Sequence, residues 1–196
     1  AALIAAAAVL PFLPALWAGF VWDDELVYAN PDLRNLAGLA RVWFWPFDSM
    51  EGGSRYWPLF YTSFWIEQRL WGVHPTGYHV TNLALHAANG VLLWRVLRLL
   101  RLPGALAAAL LFAVHPIHGE SVAWIIERKT LLSGFFLLIA MLFALREEAA
   151  TARRDSALAL AAFVAACLSK PVVLVFPLVL LAVRFAQRGR LAKEDA

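Results

Sequence analysis

An all-α, polytopic membrane bundle of about six transmembrane helices is the fold class this sequence predicts, on three observations. Hydrophobic residues make up 62% of the 196 positions, against about 45–50% in soluble domains, and charged residues only 16%, against about 25%. Apolar runs of helical length recur along the whole chain. The polar segments between them alternate in sign, as loops on opposite sides of a bilayer do. The chain opens at Ala1 without a methionine and is expected to be a processed product or a piece of something longer, with 1–196 a single membrane domain.

Residues 1–18 form the first apolar run. No charged stretch precedes it, so it reads as a span in preference to a signal peptide. The run gives way to Trp22-Asp23-Asp24-Glu25, three adjacent carboxylates at a membrane surface. Charge in such a place is costly and defaults to a functional candidate; the structural alternative is a solvated helix cap. The segment 19–76 is too long for a simple connector. Its aromatics Trp43, Phe44, Trp45, Phe47, Tyr56, Trp57, Phe60, Tyr61, Phe64, Trp65 and Trp71, interrupted by Pro46, Gly52-Gly53 and Pro58, predict short interfacial helices near 36–45 and 58–70.

Further spans are predicted at 77–97, 103–117, 129–146, 156–168 and 171–186. A helix of about 13 residues rises only ~20 Å against a hydrocarbon core of ~30 Å, so 103–117 and 156–168 are short. The stretch 156–185 reads either as one helix kinked at Pro171 or as a hairpin, and basic clusters on both flanks favour the hairpin. Those clusters are Arg95, Arg98 and Arg101, then Arg146, Arg153 and Arg154, then Arg184, Arg188, Arg190 and Lys193. They hold ten of the 17 Lys and Arg and mark the expected cytoplasmic side. The segments 19–76, 118–128 and Ser169-Lys170 then face outward with nine of the 14 acids, and all five histidines fall in that half. The net charge of +3 is therefore a matter of sidedness, and nucleic acid is not an expected partner. Cys167, the only cysteine, excludes an internal disulfide and a thiolate metal cluster.

Two constellations carry chemistry. His79, Asn82, His86 and Asn89 follow the spacing i, i+3, i+7, i+10 and form one polar stripe over ~15 Å of helix, which predicts a lined cavity. Each alone would serve as an interhelical hydrogen bond. In His115-Pro116-Ile117-His118-Gly119-Glu120 the proline and glycine break a span at the interface. This His-x-x-His lacks the one-turn spacing and intervening base of H-E-x-x-H, so no metal ligand is assigned. His79 and His86 lie ~10 Å apart along one helix, too far to share a metal. Arg128 and Lys129, on an acidic face, look like phosphate partners, with snorkelling as the alternative.

Several strings match together: W-D-D-E at 22–25, N-P-D-L at 30–33, R-Y-W-P-L at 55–59, H-V-T-N-L-A-L-H-A-A-N at 79–89 and H-P-I-H-G-E-S-V-A-W-I-I-E-R-K-T-L-L at 115–132. In these the chain resembles the transmembrane O-mannosyltransferases that carry tetratricopeptide repeats, and their bacterial relatives, among the GT-C-fold glycosyltransferases. The resemblance covers nearly the whole chain. It implies sugar transfer from a polyprenyl-phosphate donor to an acceptor hydroxyl, such as a protein Ser or Thr, with inversion. Asp23 and Asp24 match the acidic pair, with Asp23 the first choice as catalytic base. A neighbouring carboxylate can lift one pKa toward a useful base. Arg128 is assigned to the lipid phosphate, with Lys129 and Lys170 grouped beside it and the role of Lys170 left open. His79, Asn82, His86, His115, His118 and Glu120 are the sugar and acceptor cavity candidates.

The resemblance further implies the lipid-linked sugar as substrate, membrane lipid and an acceptor protein as partners, and residence in a bacterial inner membrane with the site facing the periplasm or cell exterior. No cofactor is assigned, and a divalent metal requirement is left open. Two features depart from the pattern: Lys170-Pro171 stands where the family has Lys-Glu, and both the repeats and the further spans of the fold are missing, so the chain is expected to be an N-terminal membrane module. Two other functions compete. A transporter or lipid-binding subunit would use the same stripe, but the acids cluster in a loop instead of at the midplane. A haem protein would need a Soret band.

Overall fold

The computed structural model describes residues 1–44, 56–146 and 151–188, and every regular element among them is helical. The first apolar run begins as α1, Ala2–Val9. Pro11 and Pro14 then remove backbone donors, and Leu10–Trp17 continues as a 3-10 helix, so the expected span 1–18 is two segments. After a 3-10 turn at Trp22–Asp24 come α2, Glu25–Tyr28, a second such turn at Pro31–Leu33, and α3, Leu36–Phe44. Proline at the first helical position starts both α4, Pro58–Trp71, and α5, Pro75–Leu99. A turn through Gly104, at φ 76°, where a side chain would be strained, leads into α6, Ala105–Val114.

Helix α6 ends before the expected residue 117 because Pro116 holds His115 in extended backbone, ψ 127°. The 3-10 turn Pro116–His118, α7, Gly119–Ala123, and the turn Ile125–Glu127 follow. Then come α8, Arg128–Ala144, and α9, Ala152–Ser169. Lys170 is extended ahead of Pro171, and α10, Phe176–Arg188, begins only after the 3-10 turn Pro171–Val175. Helix α10 runs back along its neighbours. Phe176 packs on Phe163 with ring centroids 5.4 Å apart, and Arg184 Nη2 donates to the Ala144 carbonyl at 2.5 Å, so the hairpin is the arrangement adopted.

Among the described residues no single helix is both long and apolar enough to cross a membrane. Helix α5 has 25 residues, a rise of ~37 Å, but it carries the polar stripe, Arg95 and Arg98. Two bent pairs have the length and composition together: Ala2–Trp17 with Trp22–Tyr28, bent by 78°, and Ala105–Val114 with Pro116–Ala123, bent by 48°. Helix α5 is the centre of the bundle. Helices α1, α6 and α8 pack around it, and α9 backs α8.

Residues 19–44 and 56–76 of the aromatic segment fold into a cap with its own core. Val27, Leu33, Val42, Phe60, Phe64 and Tyr78 join Ile125 and Ile126 from the far loop in one buried cluster. Burying these side chains stabilises the cap by roughly 1.5–3 kcal/mol each. Polar ties fix its geometry: Trp43 Nε1 donates to Thr62 Oγ1 at 2.9 Å, and Gln68 Nε2 to the Val27 carbonyl at 2.6 Å. Gly38 of α3 lies so close to Asp32 that an added Cβ would sit 2.1 Å from its carbonyl oxygen, so glycine is required there. Phe44, Ile66 and Leu70 stay exposed, leaving α3 and α4 one open apolar side each. Trp45, Pro46, Phe47, Gly52-Gly53, Arg190 and Lys193 lie outside the described residues.

The two kinds of loop segregate. Arg95, Arg98 and Arg146 line a common cleft where α5 and α8 end, beside Asp155 of α9. Asp24, Glu67 and Glu127 of the two outer segments gather at the opposite end, by the starts of α5 and α8.

Candidate functional site

The acidic pair of the first outer segment is divided by backbone direction. Asp24 is fully buried: its Oδ2 accepts from Val21 N at 2.9 Å, and its Oδ1 accepts from Ile126 N at 2.9 Å across 102 positions of sequence. Burial raises its pKa above the ordinary 3.8, an effect that the two N–H bonds oppose and the adjacent Asp23 reinforces. Asp23 is exposed. Since Asp24 touches Ile126, chain reach at 3.8 Å per residue puts the Cα atoms of Asp23 and Arg128 within roughly 20 Å. Trp22 sits at φ 46°, an outlier for a bulky residue, of a kind that costs of order 1–3 kcal/mol and clusters at functional sites. The residue is 82% exposed, and its ring meets Trp124 edge to face at 5.2 Å.

Arg128 is wholly buried and fully partnered. Nη1 forms an ion pair with Glu67 of α4, Nε donates to Asn82 Oδ1 at 2.8 Å, and Nη2 donates to the Tyr78 carbonyl at 2.9 Å. The guanidinium also lies 4.3 Å from the Phe64 ring centroid. The expected phosphate partner is in this structure a tie between α4, α5 and the start of α8. Glu67 was not singled out from the sequence. The signal available was a lone carboxylate in the aromatic helix P-L-F-Y-T-S-F-W-I-E-Q-R-L-W.

The remaining cations meet at Glu127. Lys129 pairs with its Oε1, Lys170 Nζ lies 3.7 Å from its Oε2, and Thr130 Oγ1 donates to Oε2 at 3.0 Å. Lys170 Nζ also donates to Thr130 Oγ1 at 2.8 Å, joining the α9–α10 turn to the start of α8. Lys129 is held beside Trp57 and Trp124, with ring centroids 5.5 and 6.0 Å away. Burial alone would raise the Glu127 pKa, but Lys129, Thr130 and Lys170 together outweigh it and hold the carboxyl below its ordinary 4.5. The side chain of Lys170 is 29% exposed, that of Lys129 only 10%.

The polar stripe is a seam between helices, where the sequence predicts the lining of a cavity. Asn82 Nδ2 donates to the Val122 and Trp124 carbonyls at 3.3 and 3.4 Å, His86 Nε2 bonds the Ala113 carbonyl at 3.0 Å, and Asn89 Nδ2 donates to the Leu131 carbonyl at 2.9 Å. His79 is buried against the Ala18-Gly19 backbone, with neither ring nitrogen in a well-formed hydrogen bond. His115 caps its own turn, Nδ1 accepting from Ile117 N at 3.2 Å. His118 packs on Phe112 and His86, with centroids 4.3 and 5.1 Å away, and Glu120 is exposed on α7. Among the described residues no group of three or more His, Cys, Asp or Glu could hold a metal ion. Asp23, Asp24, Arg128, Lys129 and Lys170 thus gather at one end, while His86, His115 and His118 form a separate cluster around the α6–α7 bend.

Comparison with known proteins gives a consistent set of homologues. The chain is 41% identical over 146 residues to Protein O-mannosyl-transferase Tmtc1 of Drosophila melanogaster, covering 70% of this chain and 17% of that protein. It is 37% identical over 135 residues to Protein O-mannosyl-transferase TMTC3 of Mus musculus, covering 65% and 15%. To Protein O-mannosyl-transferase TMTC4 of Homo sapiens it is 35% identical over 161 residues, covering 71% and 22%. The chain therefore spans about a fifth of the length of these relatives, or less. No protein-family profile and no solved structure matches it.

Proposed function

From this kinship to protein O-mannosyl-transferases, we propose that the chain is a membrane module of a GT-C-type glycosyltransferase that moves a sugar from a polyprenyl-phosphate donor to a Ser or Thr hydroxyl of an acceptor protein, with inversion. Its natural setting is a bacterial inner membrane with the acidic end outward. The observation that carries the reading is the bond from Ile126 N to Asp24 Oδ1, which holds the exposed Asp23 beside the segment bearing Lys129.

In this mechanism Asp23 takes the proton of the acceptor hydroxyl as its oxygen attacks the anomeric carbon from the face opposite the phosphate. The bond from that carbon to the phosphate oxygen breaks, and its electron pair leaves with the polyprenyl phosphate. Lys170 and Lys129 meet the developing phosphate charge, releasing Glu127 as they do so. Lys170 is the more accessible of the two. The exposed face of Trp22, beside Asp23, offers an apolar surface to a sugar ring. Arg128 and Asp24 act through position: one anchors the segment that bears Lys129, and the other anchors the loop that bears Asp23.

In the full-length enzyme, Asp23→Asn is expected to lower single-turnover transfer by about 10²–10⁴-fold with donor affinity kept, and Lys170→Ala to weaken donor binding. Full transfer activity in Asp23→Asn would reject the mechanism.

A further inference from the structure

We propose that the opposite, basic end holds a site for the phosphate of an anionic lipid headgroup, in the cleft between the C-terminal ends of α5 and α8. The cleft is about 310 Å³ in volume and is lined by Arg95, Arg98, Leu99, Leu142 and Arg146. Its chemistry is divided between three guanidinium groups and two leucines. Arg95 and Arg98 stand at i and i+3 and share a helix face. Among the described residues, neither has a carboxylate within ion-pair distance, and both are exposed. Arg146 meets Asp155 only at 3.6 Å, a carboxylate already accepting from Thr151 Oγ1 at 2.8 Å. Arg98 lies over the Trp94 ring at 5.1 Å and Arg146 over Phe143 at 4.6 Å, so aromatic faces restrain two of the three heads.

A guanidinium forks two hydrogen bonds onto a phosphate, and three around one cleft are more than a chloride-sized ion can use. The leucines decide the ligand class. Free phosphate gains nothing from them, whereas the glycerol and first methylenes of a phospholipid do. Basic pockets between helices on the cytoplasmic side are where anionic headgroups dock. This inference rests on the membrane reading above, which puts the basic end at the inner leaflet.

The test uses full-length protein purified in mild detergent and offered phosphatidylglycerol, phosphatidylcholine or inorganic phosphate, with native mass spectrometry counting what is retained. Phosphatidylglycerol should be kept in preference to both. Arg95→Gln and Arg98→Gln should each weaken that retention roughly fivefold, with thermal unfolding unchanged because both side chains are exposed. Arg153→Gln and Arg154→Gln, at the same end but outside the cleft, should leave it within roughly twofold. Equal retention of phosphatidylcholine, competition by inorganic phosphate as effective as by lipid, or an equal loss in Arg153→Gln would each overturn the site. Absence of the protein from alkali-washed membranes would reject the membrane reading together with this site. A membrane-resident protein indifferent to headgroup would reject only the site.

Discussion

The two ends of the bundle handle charge in opposite ways. At the acidic end Asp24, Glu67, Arg128 and Lys129 are all buried, and each has a named partner in another segment or an adjacent turn. At the basic end Arg95, Arg98, Arg153 and Arg154 are exposed, and the one ion pair of Arg146 is long, at 3.6 Å. Buried charge must be partnered or it is costly, so it dictates geometry; exposed charge is solvated and leaves geometry to the helices. The acidic end is built around buried ions of both signs, whereas the basic end buries Asp155 and displays its arginines.

The sharpest test of that contrast is Arg128→Ala. Removing it strands the Glu67 carboxylate, and breaking a buried pair in this way typically costs about 3–5 kcal/mol. Chemical denaturation of Arg128→Ala should show a loss of that order, while Arg95→Ala stays within about 0.5 kcal/mol. Equal effects at the two ends would erase the distinction.

Asp24→Ala should come next. It leaves the Val21 and Ile126 N–H groups without their acceptor, at about 1–3 kcal/mol, and frees the first outer loop. Hydrogen exchange should rise at Val21 and Ile126 and remain unchanged in α9. Exchange that stays slow at Ile126 would show that the aromatic cluster alone fixes the loop.

Glu127 gives a pH signature. Its folded pKa lies below 4.5, so its contribution to stability is fully present above pH 4.5 and is lost as pH falls through the folded value. Acid titration of the wild type against Glu127→Gln should show a steeper loss for the wild type below pH 4.5, and parallel curves would remove the coupling to Lys129 and Lys170. The smallest effect belongs to Arg146 and Asp155: Arg146→Gln should change stability by about 0–1 kcal/mol, shrinking further in salt.

The helices were legible where local rules apply. Apolar runs located α5, α8 and α9, and α3 and α4 coincide with the segments expected at 36–45 and 58–70 within the described residues. The break at Pro116 was legible from the proline and glycine around it, whereas that inside 1–18 was set by Pro11 and Pro14, which bear on φ and hydrogen bonding and leave the apolar run unbroken. The burial of Asp24 beside an exposed Asp23 was not legible: two identical neighbours differ only in which faces the second outer segment. Nor was the pairing of Glu67 with Arg128, separated by 61 positions. For His79, Asn82, His86 and Asn89 the periodicity gave the shared face correctly, but a polar face buried against carbonyls and one lining a cavity have the same spacing.

The hydrogen bond between Asp24 and Ile126 also sets a clock. Its two partners are 102 residues apart, and at about 5–20 residues per second of synthesis the second follows the first by roughly 5–20 s. During that interval Asp24 Oδ1 lacks its Ile126 donor, and Ile125 and Ile126, which complete the aromatic core, do not yet exist. The acidic turn is made among the first of the described segments and gains this bond only once the chain beyond α7 emerges, so an arrest of translation before residue 126 would leave Asp24 without its distant partner.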